Sequence, residues 1–210
     1  MQIKKLVSSP SRTGRHLQRY NKGFRQVVGC IPYRLRKGSK SPLIHGPLIE
    51  DVEVLLISSQ KSPRMMFPKG GWELDENIQV AASRETLEEA GVVGTLGEKL
   101  GKWIFKSKSQ EKFHEGFMFP LRVTEELDVW PEKDVRQRIW MSVNEAREAC
   151  AHAWMKEALE AFVCQFKPPP RVLEEEPLAS CRLALCRSED LRHSIGAQTT
   201  DEDVDFYLVS

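Results

Sequence analysis

Apolar residues fall into short runs separated by glycine, proline and charge, and the pattern within each run predicts its element. Residues 24–36 (FRQVVGCIPYRLR) have a β-branched centre and predict a strand, closed by Pro32 and a Lys/Gly/Ser loop. A loop rich in proline and glycine at 40–47 leads to 52–59 (VEVLLISS), the most convincing buried strand in the protein. Residues 61–69 (KSPRMMFPK), with two prolines, predict a turn region that delivers the chain into Gly70 and Gly71.

A helix is expected next. Asp75 or Asn77 can cap its start, Ile78, Ala81, Ala82 and Leu87 supply small and apolar contacts, and Gly91 stops it. Strands are expected at 103–105, 116–123 (GFMFPLRV) and 138–141, with Pro120 pointing to an edge or a bulge in the middle one. Helices at 143–151 and 153–166 close the domain. After 166 the chain turns to mixed charge and weak periodicity (KPPPRVLEEEP), so 167–200 reads as a linker or disordered tail. It ends in an acidic stretch and an apolar DFYLVS able to dock as an added strand. No internal repeat is present, which excludes a solenoid.

The 210 residues, 40% hydrophobic and 29% charged, suffice for one good core. The division expected is a basic arm at 1–18, a domain at 19–166 and a flexible tail at 167–210. No run approaches the roughly 20 apolar residues of a bilayer span, so a soluble protein without a membrane partner is expected. The five cysteines are odd in number and scattered. No Cys-x-x-Cys pair accompanies a suitably spaced His, which fits reduced thiols inside the cell and speaks against structural zinc.

The net charge of +1 conceals an asymmetry, because residues 1–49 hold no acidic residue and many Lys and Arg. That half is built to meet anions. Residues 1–26 could alternatively serve as a solvated arm or a mitochondrial import signal. The cytosol is favoured, with mitochondrion or nucleus as alternatives, since residues 15–34 read as part of the domain.

Against that basic half, residues 70–92 (GGWELDENIQVAASRETLEEAGV) crowd Glu73, Glu76, Glu85, Glu88 and Glu89 together. On a helix Glu85, Glu88 and Glu89 emerge from one face within about one turn, a rise of about 5.4 Å. Such crowding needs solvent or a cation to offset repulsion, and oxygen-only ligands in this array suit Mg²⁺ or Mn²⁺. Arg84 can pair with Glu88 and keep a carboxylate aimed. A solvated acidic helix face is the ordinary alternative on residue type alone.

The spacing goes further. Gly70, five residues, Glu76, seven residues, then 84–92 (RETLEEAGV) resembles the Nudix box, Gly-x5-Glu-x7-Arg-Glu-U-x-Glu-Glu-x-Gly-U with U bulky and apolar. The one departure is Thr86 at the first U. The resemblance implies a Nudix hydrolase: an α/β fold, specifically an α/β/α sandwich with a mixed central sheet, cleaving a diphosphate linkage with divalent metal and water. By position it makes Glu85, Glu89, Glu88 and the Gly70 carbonyl the metal ligands, Glu88 the general base, and Glu76 a support that orients water or Arg84.

Four further stretches, 11–34, 54–60, 67–73 and 123–146, are similar to the diphosphoinositol polyphosphate phosphohydrolases, especially the plant type. That likeness implies inositol pyrophosphates or long dinucleoside polyphosphates as substrates. A row of phosphates calls for Arg and Lys from several elements. The candidates are Arg19, Lys22, Arg25, Arg34, Arg64, Lys69, Arg136 and Arg138, with Ser59. Glu115 and Trp154 stand where animal relatives carry basic residues, and Lys112 and Lys156 are near enough in sequence to compensate. Glu115 is either an exposed strand-end acid or an extra metal ligand. Trp72, Trp103, Trp130 and Trp140 are expected in the core or at its rim, an indole at the pocket edge being able to stack on a base. No His is assigned to catalysis.

Three functions stay open: the inositol-pyrophosphate hydrolase, the same mechanism on a nucleotide, and a binding-only module for polyphosphate or RNA. The partner implied is a phosphate-rich small molecule, with no obligate nucleic acid and a monomer favoured.

Overall fold

The computed structural model describes residues 14, 16–36, 48–60, 62–107 and 112–166. Most of the basic arm, the loop at 37–47, the tail from 167 and its DFYLVS end lie outside the described residues. One mixed sheet forms the centre. Its strands are β1 (Tyr20–Asn21), β2 (Phe24–Leu35), β3 (Val52–Ser59), β4 (Ser62–Met66), β5 (Lys69–Gly71), β6 (Val92–Leu96), β7 (Gly101–Lys106), β8 (Phe113–Glu126) and β9 (Arg138–Ser142). Helices α1 (Ile78–Ala90), α2 (Val143–Ala149) and α3 (Ala153–Cys164) flank it. The strand path runs β4-β3-β2-β8-β6, and β2 and β8 are its parallel pair.

Side chains alternate across the sheet and build two cores. Val28, Cys30, Leu55, Ile57, Phe117, Phe119 and Leu121 pack with Ala81, Ala82 and Ala90 of α1. Ile31, Val54, Leu56, Phe67 and Met118 pack on the other face with Val143 of α2 and with Trp154, Met155, Leu159 and Phe162 of α3. A strand buried on both faces needs apolar residues at consecutive positions, and Val54, Leu55, Leu56 and Ile57 of β3 supply them. This is the expected α/β/α sandwich.

Two expectations change. The turn region at 61–69 contains a strand, β4, which pairs with β3 across an irregularity between Ser58 and Ser59. Pro120 is at no edge: β8 pairs with β2 on one side and with β6 and β7 on the other. The Pro120 carbonyl accepts from Gly97 N, 2.9 Å, in the gap where the partner changes from β7 to β6. A residue's N–H and C=O point to the same side of a strand, so the missing donor falls in that gap. β6, which the apolar pattern did not mark, follows α1 directly.

Candidate active site

Helix α1 holds the acidic face, and local signals fix both its ends. Asn77 accepts from Val80 N at 2.9 Å as the N-cap, and Gly91 at φ 64° takes the left-handed position that ends the helix. The β8–β9 loop then grips the C-terminus. Glu132 N donates to Glu88 O, Leu127 N to Gly91 O, and Arg138 Nη1 to the carbonyls of Ala90 and Gly91.

Arg84 is the hub. Buried at 7% exposure, its guanidinium forks onto Glu76 at 2.9 and 2.6 Å, and reaches Glu85 at 2.8 Å, Gly71 O at 3.0 Å and Glu88 at 3.5 Å. Burial works against the charge, but Glu76 and Glu85 more than offset it. Glu76 also accepts from Glu73 N, 3.1 Å, so it orients Arg84 and closes the loop at once.

Glu85 lies against Gly70, where any Cβ would collide with its carboxylate. Burial pushes the Glu85 pKa up to about 7, Arg84 pulling it down and Glu89 and Glu88 adding to the rise. Glu89 accepts from Lys69 N at 2.8 Å and from Arg136. Its pKa is also raised, by burial, against the pull of Lys69 and Arg136. Arg136 continues to Glu132 at 2.5 Å and to Ser58 O at 3.0 Å.

The three glutamates do not close into the cage expected from their spacing. Among the described residues no group of three or more His, Cys, Asp or Glu side chains is gathered closely enough to hold a metal ion. The reason is electrostatic: largely buried carboxylates take the nearest cations, and Arg84 and Arg136 occupy them. Even so the donor set fits a hard divalent cation. Five carboxylates (Glu76, Glu85, Glu88, Glu89, Glu132) face three cations (Lys69, Arg84, Arg136), a local deficit of two charges. Each carboxylate oxygen engaged by one N–H keeps a second lone pair.

A cleft of about 390 Å³ opens beside this face, lined by Gly70, Glu89, Arg25, Val27 and Lys69 with Phe105, Lys106, His114, His152 and Trp154. A larger share of apolar wall surrounds a groove between α1 and β6, but that groove has none of the glutamates. Of the candidate cations, Arg25 and Lys69 reach the cleft. Arg19 stacks on Trp72 (4.3 Å) and donates to Leu74 O, 3.3 Å, above the loop. Lys22 sits exposed at φ 46° in the β1–β2 turn, and Arg64 is exposed on β4.

The others are placed elsewhere. Arg34 lies six residues along β2 from Val28, the partner of Gly70, about 20 Å away, where it pairs with Glu53 (2.9 Å) and stacks on Trp140. Arg138 caps α1, stacks on Trp130 and pairs with Glu126 at 3.1 Å. Ser59 and Arg136 border a separate polar depression with Lys133.

Glu115 is neither exposed nor in the cleft. It is 3% exposed and accepts from Gln26 (2.6 Å), Lys102 (3.0 Å) and Asn21 (3.3 Å). Burial works to raise its pKa, but these bonds win and hold it below the usual range. Trp154 enters the cleft wall, yet its ring is stacked on Phe105 at 4.3 Å and is 7% exposed, so that face is spent.

Sequence reading missed Lys106, His114 and His152. The β2–β8 pairing would have found His114, since it lies opposite Arg25 in register.

A family model described as NUDIX domain matches residues 45–162. The chain is similar to "Nudix hydrolase 17, mitochondrial" of Arabidopsis thaliana, 56% identical over 180 residues, covering 86% of this chain and 96% of that one. It is similar at 37% identity to "Diphosphoinositol polyphosphate phosphohydrolase 3-alpha" of Mus musculus, over 59% of this chain and 68% of that one. Among solved structures, a NUDIX hydrolase from Nitrosomonas europaea superposes with a TM-score of 0.53 at 18% identity, over 71% of this chain and 95% of that one.

Proposed function

Because this chain belongs to the Nudix hydrolases, enzymes that act on pyrophosphate linkages and generally use divalent metal ions, we propose that it removes the terminal phosphate of an inositol pyrophosphate. The observation that carries the reading is the cleft beside Glu89 and Gly70. Its wall brings Arg25, Lys69 and Lys106 together, and its large aromatic pair is stacked on itself rather than offered to a base. A ligand dense in phosphate and poor in flat apolar surface suits such a wall. The similarity to the mouse protein points the same way.

Glu85, Glu88, Glu89 and the Gly70 carbonyl would hold Mg²⁺ or Mn²⁺. When bound, the ion neutralises charge gathering on the phosphoryl oxygens and acidifies a bound water. Arg84 fixes Glu85 and Glu76 through short charged bonds and also reaches Glu88 at 3.5 Å, and Glu88 is our choice for the carboxylate that accepts the proton. Water oxygen adds to the terminal phosphorus and its proton passes to Glu88. The bridging P–O bond breaks, and the bridging oxygen leaves with the inositol polyphosphate. Arg25, Lys69 and Lys106 hold the neighbouring phosphates in line.

For location, the mitochondrial name of the plant relative and the acid-free N-terminus support import as the alternative to the cytosol. Residues 16–36 are built into the fold, so an import signal would lie upstream of them.

The test is phosphate release with Mg²⁺, comparing a diphosphoinositol pentakisphosphate with diadenosine hexaphosphate and ADP-ribose, beside Glu88→Gln. The inositol substrate is expected to lead tenfold or more in kcat/KM, and Glu88→Gln to abolish turnover. A nucleotide in the lead would overturn the substrate assignment and leave the hydrolase.

A further inference from the structure

Arg136 belongs to the β8–β9 loop, yet its buried side chain ends on helix α1. Each of its three nitrogens has an acceptor: Nε donates to Glu132 at 2.5 Å, Nη1 to the Ser58 carbonyl at 3.0 Å and Nη2 to Glu89. The two carboxylates it joins differ in standing. Glu89, its side chain 9% exposed, accepts from Lys69 N on its other oxygen at 2.8 Å and is one of the groups assigned above to the metal. Glu132, 17% exposed, lies outside the Nudix box and accepts from Gln60 Nε2 at 3.1 Å. The loop is held at both ends of this row of charges. Glu132 N donates to Glu88 O (3.1 Å), Ser58 N to Gln137 O (2.8 Å), and Gln137 N returns to Ser58 Oγ (2.9 Å).

A fixed frame thus delivers the guanidinium to Glu89, and that sets up a competition. A guanidinium and a divalent cation on one carboxylate are like charges side by side, and near a protein surface their repulsion is about four times what it is in water. Giving up a buried ion pair is costly when it leaves a charge alone. Here it leaves none alone. If Glu89 turns to an ion, the planar fork of Arg136 still has Glu132 and the Ser58 carbonyl. The charge count agrees, since the five carboxylates and three cations fall two charges short, a deficit that one divalent ion fills with Arg136 still in place.

We propose that Arg136 competes with the divalent cation for Glu89, and that Glu132 is the acceptor that keeps the arginine when the metal takes Glu89. The pair thereby sets the metal affinity of the site: Arg136 lowers it, and Glu132 restores part of it. This rests on Glu89 being a metal ligand, as proposed above.

The probe is Mg²⁺ alone, titrated calorimetrically at pH 8 into the full chain after EDTA treatment and dialysis, with wild type, Arg136→Gln, Glu132→Gln, the double variant and Glu89→Gln. Arg136→Gln is expected to bind Mg²⁺ about tenfold more tightly, the scale of one unit charge removed from beside a ligand, and Glu132→Gln about tenfold more weakly. On the Arg136→Gln background Glu132→Gln should change affinity by no more than about twofold, because its effect runs through the arginine. A merely structural ion pair would give both single variants the same sign. Should Arg136→Gln not fold, wild type decides: rotation about the Arg136 Nε–Cζ bond, followed by side-chain nitrogen NMR, should quicken at saturating Mg²⁺. Affinity unchanged or weakened in Arg136→Gln, equal effects of Glu132→Gln in both backgrounds, or a rotation rate that Mg²⁺ leaves alone overturns the proposal, while loss of Mg²⁺ binding in Glu89→Gln keeps the metal assignment standing. A Glu89→Gln variant that binds Mg²⁺ like wild type removes both.

Discussion

Glu85 is a carboxylate kept in the fold at its own expense, and Glu85→Gln should expose that. In the folded chain its pKa is raised from 4.5 to about 7. The folded state therefore binds this proton more tightly than the unfolded state does. The group's contribution is most favourable below pH 4.5, declines as pH rises to about 7, and is flat above. A rise of this size corresponds to about 3 kcal/mol at pH 8, at about 1.4 kcal/mol per pH unit. Glutamine resembles the protonated acid in shape and can still accept from Arg84. In EDTA at pH 8, Glu85→Gln should thus be more stable than wild type by up to about 3 kcal/mol, or roughly 6–12 °C in Tm for a domain of this size. At pH 4.5 the two should converge. Millimolar Mg²⁺ should stabilise wild type by mass action and leave the variant largely unmoved. Urea and thermal unfolding at both pH values, with and without Mg²⁺, measure all three. A variant less stable than wild type in EDTA at pH 8 would refute the reasoning, because Arg84 would then be stabilising the ionised carboxylate outright.

Arg136→Ala leaves Glu89 and Glu132 without their shared buried partner and should cost about 3–5 kcal/mol in urea unfolding at pH 7.5. The loss should shrink in Mg²⁺, which replaces the missing charge. Asn77→Ala removes the cap of α1 and should cost about 1 kcal/mol in the same assay, with no dependence on Mg²⁺.

The acidic half of the site was legible because its geometry is local. Asn77, Gly91 and the positions 84, 85, 88 and 89 sit on one helix, and a helix converts spacing into direction. The strands at 52–59 and 138–141 were legible for a similar reason, since burial on a face is written into the residue run. β6 and β4 were not: VVGTL is short, and SPRMM carries a proline, so pairing with β8 and β3 rather than propensity makes them strands.

The cationic half depends on register, and register is not written in any single strand. Arg25 and Arg34 lie on one strand in the same basic stretch, yet one borders the cleft and the other pairs with Glu53 at the far end of β2. Only the pairing of Val28 with Gly70 and of Arg25 with His114 separates them. Charge balance completes the sorting. Arg84, Arg136 and Arg138 are drawn to the carboxylates and carbonyls of α1, where a buried acidic helix must find counter-charge whether or not a metal is present. An arginine counted from sequence as a phosphate ligand is thus first a candidate for the protein's own anions. Of the candidates counted from sequence, those that border the cleft are Arg25 and Lys69, and strand register rather than charge is what brings them there.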